Sequence, residues 1–150
     1  MKKKVYGRNL SRERDSRRAL FRSLMRALIL NGKIQTSPAK AKAVQPDVEK
    51  MINLAKRSSL SSKKQVYSFL GNDRLSASFV YEKIVPKFAS KVSGFTRIVN
   101  LPQRVGDNSR MVRLEWSLEV EKYIPPTKKK NKSKPAEKGT VDKSKAEEKG

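Results

Sequence analysis

The apolar positions of this chain change their spacing once, and the change divides it. Up to Val85 they recur at three- and four-residue intervals, whereas from Phe95 onward they alternate with polar residues. The first pattern predicts amphipathic helices and the second predicts strands buried on one face. A first helix is expected from about Ser11 to Asn31, with Leu20, Leu24 and Leu28 on one row and Phe21 and Met25 beside them as a core-facing stripe. Ser11 is its expected N-cap, Glu13 and Asp15 complement the dipole in the first turn, and Gly32 supplies a left-handed stop.

Ile34-Gln35-Thr36 is short enough to be an edge strand or a plain connector. Ser37-Pro38 then reads as an N-cap followed by proline at the first helical position, opening a second helix. Its stripe is Val44, Val48, Met51, Ile52 and Ala55, ending near Arg57. Pro46 falls inside it and predicts a kink, or a break with a restart at Gln45. The serines at 58, 59, 61 and 62 form a polar linker and supply caps for a short third helix bearing Val66, Phe69 and Leu70 and closing at Gly71. Asn72 is the expected cap of a fourth, with Leu75 and Phe79 on one face and Ile84 and Val85 just before Pro86. Tyr67 and Tyr81 sit beside apolar neighbours and read as core rim rather than as base-stacking groups.

The strand pattern is the cleanest signal. Val112, Leu114, Trp116, Leu118 and Val120 alternate with Arg113, Glu115, Ser117 and Glu119, and Phe95 to Leu101 is the expected partner. The segment between them, 102–110, is too long for a tight hairpin turn and is bracketed by Arg104 and Arg110. Such a loop suits insertion against a folded RNA surface and equally suits a solvent-exposed turn. Beyond Val120 the composition collapses into Lys, Pro, Glu, Ser and Gly. Residues 1–120 are therefore expected to be one domain and 121–150 a disordered low-complexity tail.

Charge changes the picture from a fold to a function. The 150 residues carry 36 Lys+Arg against 14 Asp+Glu, a formal net charge of +22, which solubility alone does not explain and which implies a polyanionic partner. Arg14, Arg18, Arg22 and Arg26 form a row along the first helix, spanning roughly 18 Å, a length over which a nucleic-acid strand presents several phosphates. Like charges at this spacing weaken an isolated helix, so an anion is expected to neutralise them. Ahead of them lies a basic arm with Lys2, Lys3, Lys4 and Arg8 around Tyr6 and Gly7, expected to be mobile when free and to order on nucleic acid, Tyr6 being available to stack. Lys40 and Lys42 near the start of the second helix are poorly placed for its dipole, which again favours an external anion.

Catalysis has little to work with. The sequence holds no cysteine and no histidine, which removes disulfides, thiolate nucleophiles and imidazole bases, and no phosphate-binding or dinucleotide fingerprint occurs. The carboxylates are scattered, so neither an enzyme nor a metal or cofactor site is expected. No apolar run is long enough to span a bilayer and no signal-type region follows the N-terminal lysines, so a membrane partner is not expected and the chain reads as soluble and unexported.

Several stretches together resemble one family, ribosomal protein number seventeen of the bacterial large subunit. They are Gly7-Arg8-Asn9-Leu10-Ser11-Arg12, Arg17-Arg18-Ala19-Leu20-Phe21-Arg22, Ile34-Gln35-Thr36 through Lys40-Ala41-Lys42 to Glu49, and Ile52-Asn53-Leu54-Ala55-Lys56. Pro86-Lys87-Phe88-Ala89-Ser90, Gly94-Phe95-Thr96-Arg97-Ile98 and Arg104-Val105-Gly106-Asp107-Asn108 follow in the same order. The resemblance implies a small α+β fold, about four helices packed with a small sheet containing the long-looped antiparallel pair. It also implies binding to large-subunit ribosomal RNA near the mouth of the nascent-peptide tunnel, beside other ribosomal proteins in the cytoplasm, with no small-molecule substrate. The RNA-binding candidates are then Lys2, Lys3, Lys4, Tyr6, Arg8, Arg12, Arg14, Arg17, Arg18, Arg22, Arg26, Lys40, Lys42, Arg97, Arg104 and Arg110. The main rival is a DNA-binding architectural or regulatory protein, disfavoured because no second recognition helix follows the arginine-bearing one.

Overall fold

The computed structural model describes residues 7–123; the lysine cluster at 2–4, Tyr6 and the expected tail from 124 onward lie outside them. The order of elements is α1 (Arg14–Asn31), β1 (Lys33–Thr36), α2 (Pro38–Arg57), α3 (Leu60–Leu70), α4 (Arg74–Phe79), a π-helical turn (Val80–Ile84), α5 (Val85–Lys87), β2 (Thr96–Leu101) and β3 (Met111–Trp116). This is the expected α+β arrangement. Ile34-Gln35-Thr36 resolves as an edge strand, because the sheet is antiparallel with β3 in the middle, ordered β1-β3-β2. Register places Ile34 and Ile98 opposite Leu114, and Thr36 and Asn100 opposite Val112. Directly opposed residues share a face, so one side of the sheet gathers Ile34, Val112, Leu114 and Trp116 into the core.

That core is closed by the stripe of α2. Val44, Val48, Met51, Ile52 and Ala55 are all buried, as the spacing predicts, together with Phe88, Phe95 and Val66. Phe88 stands edge-on to Phe95 at a centroid distance of 5.4 Å and lies 5.9 Å from Trp116, tying the end of the helical layer to the sheet. Tyr67 and Tyr81 rest half-buried against the core, in keeping with rim positions.

Several boundaries differ from expectation. Helix α1 is capped at Glu13 instead of Ser11, because Leu10 and Ser11 both have positive φ (54° and 51°) and turn the chain before the helix starts. Its buried face is Met25, Leu28 and Ile29; Leu20 is only half-buried, since the first turns of α1 project beyond the packed layer. Helix α2 runs unbroken through Pro46. Pro46 and Lys42 are both exposed, which puts the proline on the solvent-facing side of the helix. Asp73, not Asn72, caps α4, and Leu75 is 56% exposed while Ser76, Ala77 and Phe79 are buried. The helical path also continues past Pro86 to Lys87, with the wider π turn immediately before it relieving the clash that the ring makes in an α-helix.

Strand β3 stops at Trp116, short of the expected Val120, because its partners run out there. Thr96, the first residue of β2, pairs with Trp116, and Lys33, the first of β1, pairs with Glu115. The chain then turns back: the Tyr123 N–H donates to the Leu30 carbonyl at 2.8 Å, the Tyr123 ring stands edge-on to Phe79, and Lys87 donates to the Glu119 carbonyl at 2.8 Å. Packing therefore continues through Tyr123. Gly32, at φ 74°, is needed at this junction because it caps α1 in the left-handed conformation, which strains any residue with a side chain.

The serine linker is shorter than expected, with Ser61 and Ser62 already inside α3, but it supplies the expected cap. Ser59 caps α3 by accepting from the Ser62 N–H at 3.2 Å, and the two hydroxyls are 2.8 Å apart. Ser59→Ala is expected to lower stability by about 1 kcal/mol, read as a shift of the urea midpoint with an unchanged slope.

Candidate nucleic-acid interface

Three separate surfaces hold the candidate cations of the described residues. The first is the solvent face of α1 with the turn that precedes it. Arg14, Arg18, Arg22 and Arg26 are all exposed, but they are not equivalent. Arg26 Nε lies 2.9 Å from Asp73 Oδ2, and Arg22 lies across Gly71 and donates to the Ser68 carbonyl at 3.4 Å. Arg14 and Arg18 have no carboxylate partner among the described residues. The lower half of the ladder thus clamps α1 to the α3–α4 corner, and the upper half projects into solvent.

The turn at 8–12 is built around Arg17. This half-buried guanidinium donates to Asn9 Oδ1 at 3.2 Å and to the Arg8 carbonyl at 3.4 Å, and it lies 6.0 Å from the centre of the Phe21 ring. Arg17 is therefore a positioning residue for the arm's root, while the Arg8 side chain is exposed. Arg12 is exposed as well and bonds the Leu10 carbonyl at 2.9 Å.

The second surface joins segments far apart in sequence. Lys42, near the start of α2, and Arg110, at the end of the β2–β3 loop, line one cavity of about 470 Å³ with Pro38, Asn100 and Gln103. Lys40, two residues before Lys42 on the first turn of α2, is half-buried and does not line this cavity. The loop is ordered by its own polar groups: Arg104 N–H donates to the Ser109 carbonyl at 3.0 Å, and the Arg104 guanidinium pairs with Asp107. That pairing and the Ser109 N–H hold the Asp107 carboxyl down to about 2. Arg104 is thus internally offset, and Arg110 carries the loop's net charge.

Arg97 lies on the outer face of the sheet, on the third surface. Glu115 bridges two guanidinium groups there, with Arg97 Nε 2.7 Å from Oε1 and Arg113 Nε 2.7 Å from Oε2. The Arg97 hydrogen bond is the largest reason that the Glu115 carboxyl is held below its ordinary value. Alternation along the strand identifies Arg97 and Arg113 as outward-facing; the shared carboxylate follows from register, which the sequence does not print.

Asp73 gives a pH test of the α1 clamp. Burial pushes its carboxyl up, but the Ser76 hydroxyl at 2.7 Å, backbone N–H groups and the Arg26 charge outweigh this and hold it below 3.8. A carboxyl depressed by folding contributes stability above its unfolded value and loses it as pH falls through the folded value. Asp73→Asn is expected to be less stable than the unaltered chain near neutral pH, by about 1 kcal/mol, with the gap closing below about pH 3.8. Urea titrations at several pH values check this; a gap of constant size refutes it.

Cations not foreseen from the sequence also stand exposed near α1, namely Lys50 on α2 and Lys64 on α3, each lining a cavity with Arg22. The Lys63-Lys64 doublet was the available signal. Among the described residues no group of three or more acidic side chains gathers as a metal site, and no helix is long and apolar enough to cross a membrane.

A compact α+β domain with excess positive charge spread over several faces defines a small, basic structural protein. Residues 20–117 match the family of ribosomal protein L17. The chain is 39% identical over 117 residues to the large ribosomal subunit protein bL17 of Hydrogenobaculum sp., covering 77% of this chain and 98% of that protein. It is likewise 39% identical over 108 residues to the bL17 of Clostridium botulinum, covering 72% and 95%, and 39% identical over 103 residues to that of Mesomycoplasma hyopneumoniae, covering 65% and 86%. The chain belongs to the ribosomal protein L17 family, whose members are structural components of the large ribosomal subunit in the cytoplasm and not enzymes.

Proposed function

We propose that this chain binds large-subunit ribosomal RNA through phosphate contacts from its separate basic faces, holding RNA segments together near the mouth of the nascent-peptide tunnel beside other ribosomal proteins. The observation that carries the reading is the division of the α1 ladder: Arg22 and Arg26 fix the helix to the domain, and Arg14 and Arg18 point their charge outward from a rigid support. Lys42 and Arg110, brought together at the α2 start, offer a second foothold. Such contacts position an RNA without reading its sequence, and selectivity then comes from RNA shape and 2′-hydroxyls.

The test is co-sedimentation of the tagged chain with large subunits in its bacterial host, followed by cross-linking to identify RNA and protein neighbours. Cross-links from the α1 face to ribosomal RNA, and to proteins at the tunnel mouth, are the expected result. Recovery with the nucleoid, free of ribosomal particles, overturns the reading.

A further inference from the structure

A cavity of about 390 Å³ opens between α1, α2 and α3, within the size range of small-ligand pockets. Its rim is cationic, with Arg18 and Arg22 from α1 and Lys50 from α2, and its walls include the half-buried rings of Phe21 and Phe69. Lys50 Nζ stands 5.8 Å from the centre of the Phe69 ring. Asp47 also lines the space, and burial raises its carboxyl above the ordinary value although Lys50 and Arg17 pull it down.

This combination is more selective than positive charge alone. Rings at a wet, cationic mouth offer stacking surfaces to a flat group, and arginines at the rim offer donors to the phosphates attached to it. A carboxylate inside the cavity disfavours an acidic side chain but accepts a hydrogen bond from the amino or imino N–H of a base. A continuous duplex keeps its bases stacked internally and presents only phosphates to the rim, leaving the rings unused. We propose that this cavity receives one unstacked nucleotide of the bound RNA, its base against Phe21 and Phe69 and its phosphate at Arg18.

The proposal rests on the RNA-binding reading and refines it. The purified full chain is titrated at low salt with two end-labelled RNA hairpins, one with a single bulged adenosine and one fully paired, and Phe69→Leu is titrated in parallel. The unaltered chain is expected to prefer the bulged hairpin by roughly fivefold or more, the scale of one base stacked on an aromatic ring. Phe69→Leu is expected to erase that preference while binding the paired hairpin as before. Equal affinity of the unaltered chain for both hairpins, as a pocket filled by a protein segment requires, overturns this proposal alone; that comparison needs no variant to fold. Preference retained by Phe69→Leu overturns the pocket as its seat. Failure to bind either hairpin overturns the RNA reading and this proposal together.

Discussion

The affinity of this chain for large-subunit ribosomal RNA is expected to fall by about 10³ to 10⁵ between 50 and 200 mM salt, the behaviour of a protein making roughly six to ten phosphate contacts. Replacing Arg14 and Arg18 by glutamine should reduce the slope of log affinity against log salt by about two, one for each phosphate no longer neutralised. Replacing Arg22 and Arg26 should reduce it less and should lower stability as well, because the Arg26–Asp73 pair and the Arg22–Ser68 bond anchor the helix. Filter-binding titrations over a salt series, paired with urea denaturation of each variant, measure both effects. Equal slope losses from the two pairs would show that the whole ladder faces RNA and that its two halves do not differ in role.

Phe88→Ala is expected to cost about 3–5 kcal/mol, the range for deleting a buried aromatic ring. Phe88 is fully buried where helical layer and sheet meet, touching both Phe95 and Trp116. Neither neighbour can collapse freely into the space, since Phe95 directly precedes β2 and Trp116 ends the central strand. Denaturant unfolding gives the number, and a loss below about 1.5 kcal/mol, typical of a tolerated hydrophobic swap, would mean that this junction is not the hinge of the core.

The α2 stripe and the α3 caps are legible in the sequence because they depend on intervals within one element. Leu20 and Leu75 are misplaced by the same intervals for the opposite reason: both fit the local period, and whether such a residue is covered depends on how far a neighbouring helix extends. Strand β3 carries an alternation that outruns its partners, so pattern alone overstates its length. Pro46 breaks a rule of helix interiors only in appearance, since it sits on the wet side of α2 and the helix runs on unbroken. For the candidate interface, the arginine ladder can be read directly, but the sorting of its members cannot. That sorting is imposed by Asp73 and Ser68, residues outside α1, just as the meeting of Lys42 with Arg110 is imposed by docking the sheet on α2. Phe69 reads as core from the spacing within its own helix, and only the crossing of three helices sets its ring beside Lys50 at a cavity mouth.

The return of the chain after β3 ties two distant segments to one helix. Asn9 is bonded at the level of Arg17, and Tyr123 at the level of Leu30. At 1.5 Å per residue these levels are about 20 Å apart along one rigid rod. Helix α1 therefore acts as a spacer: it sets the separation of the two chain segments, at Asn9 and at Tyr123, that are bonded along it.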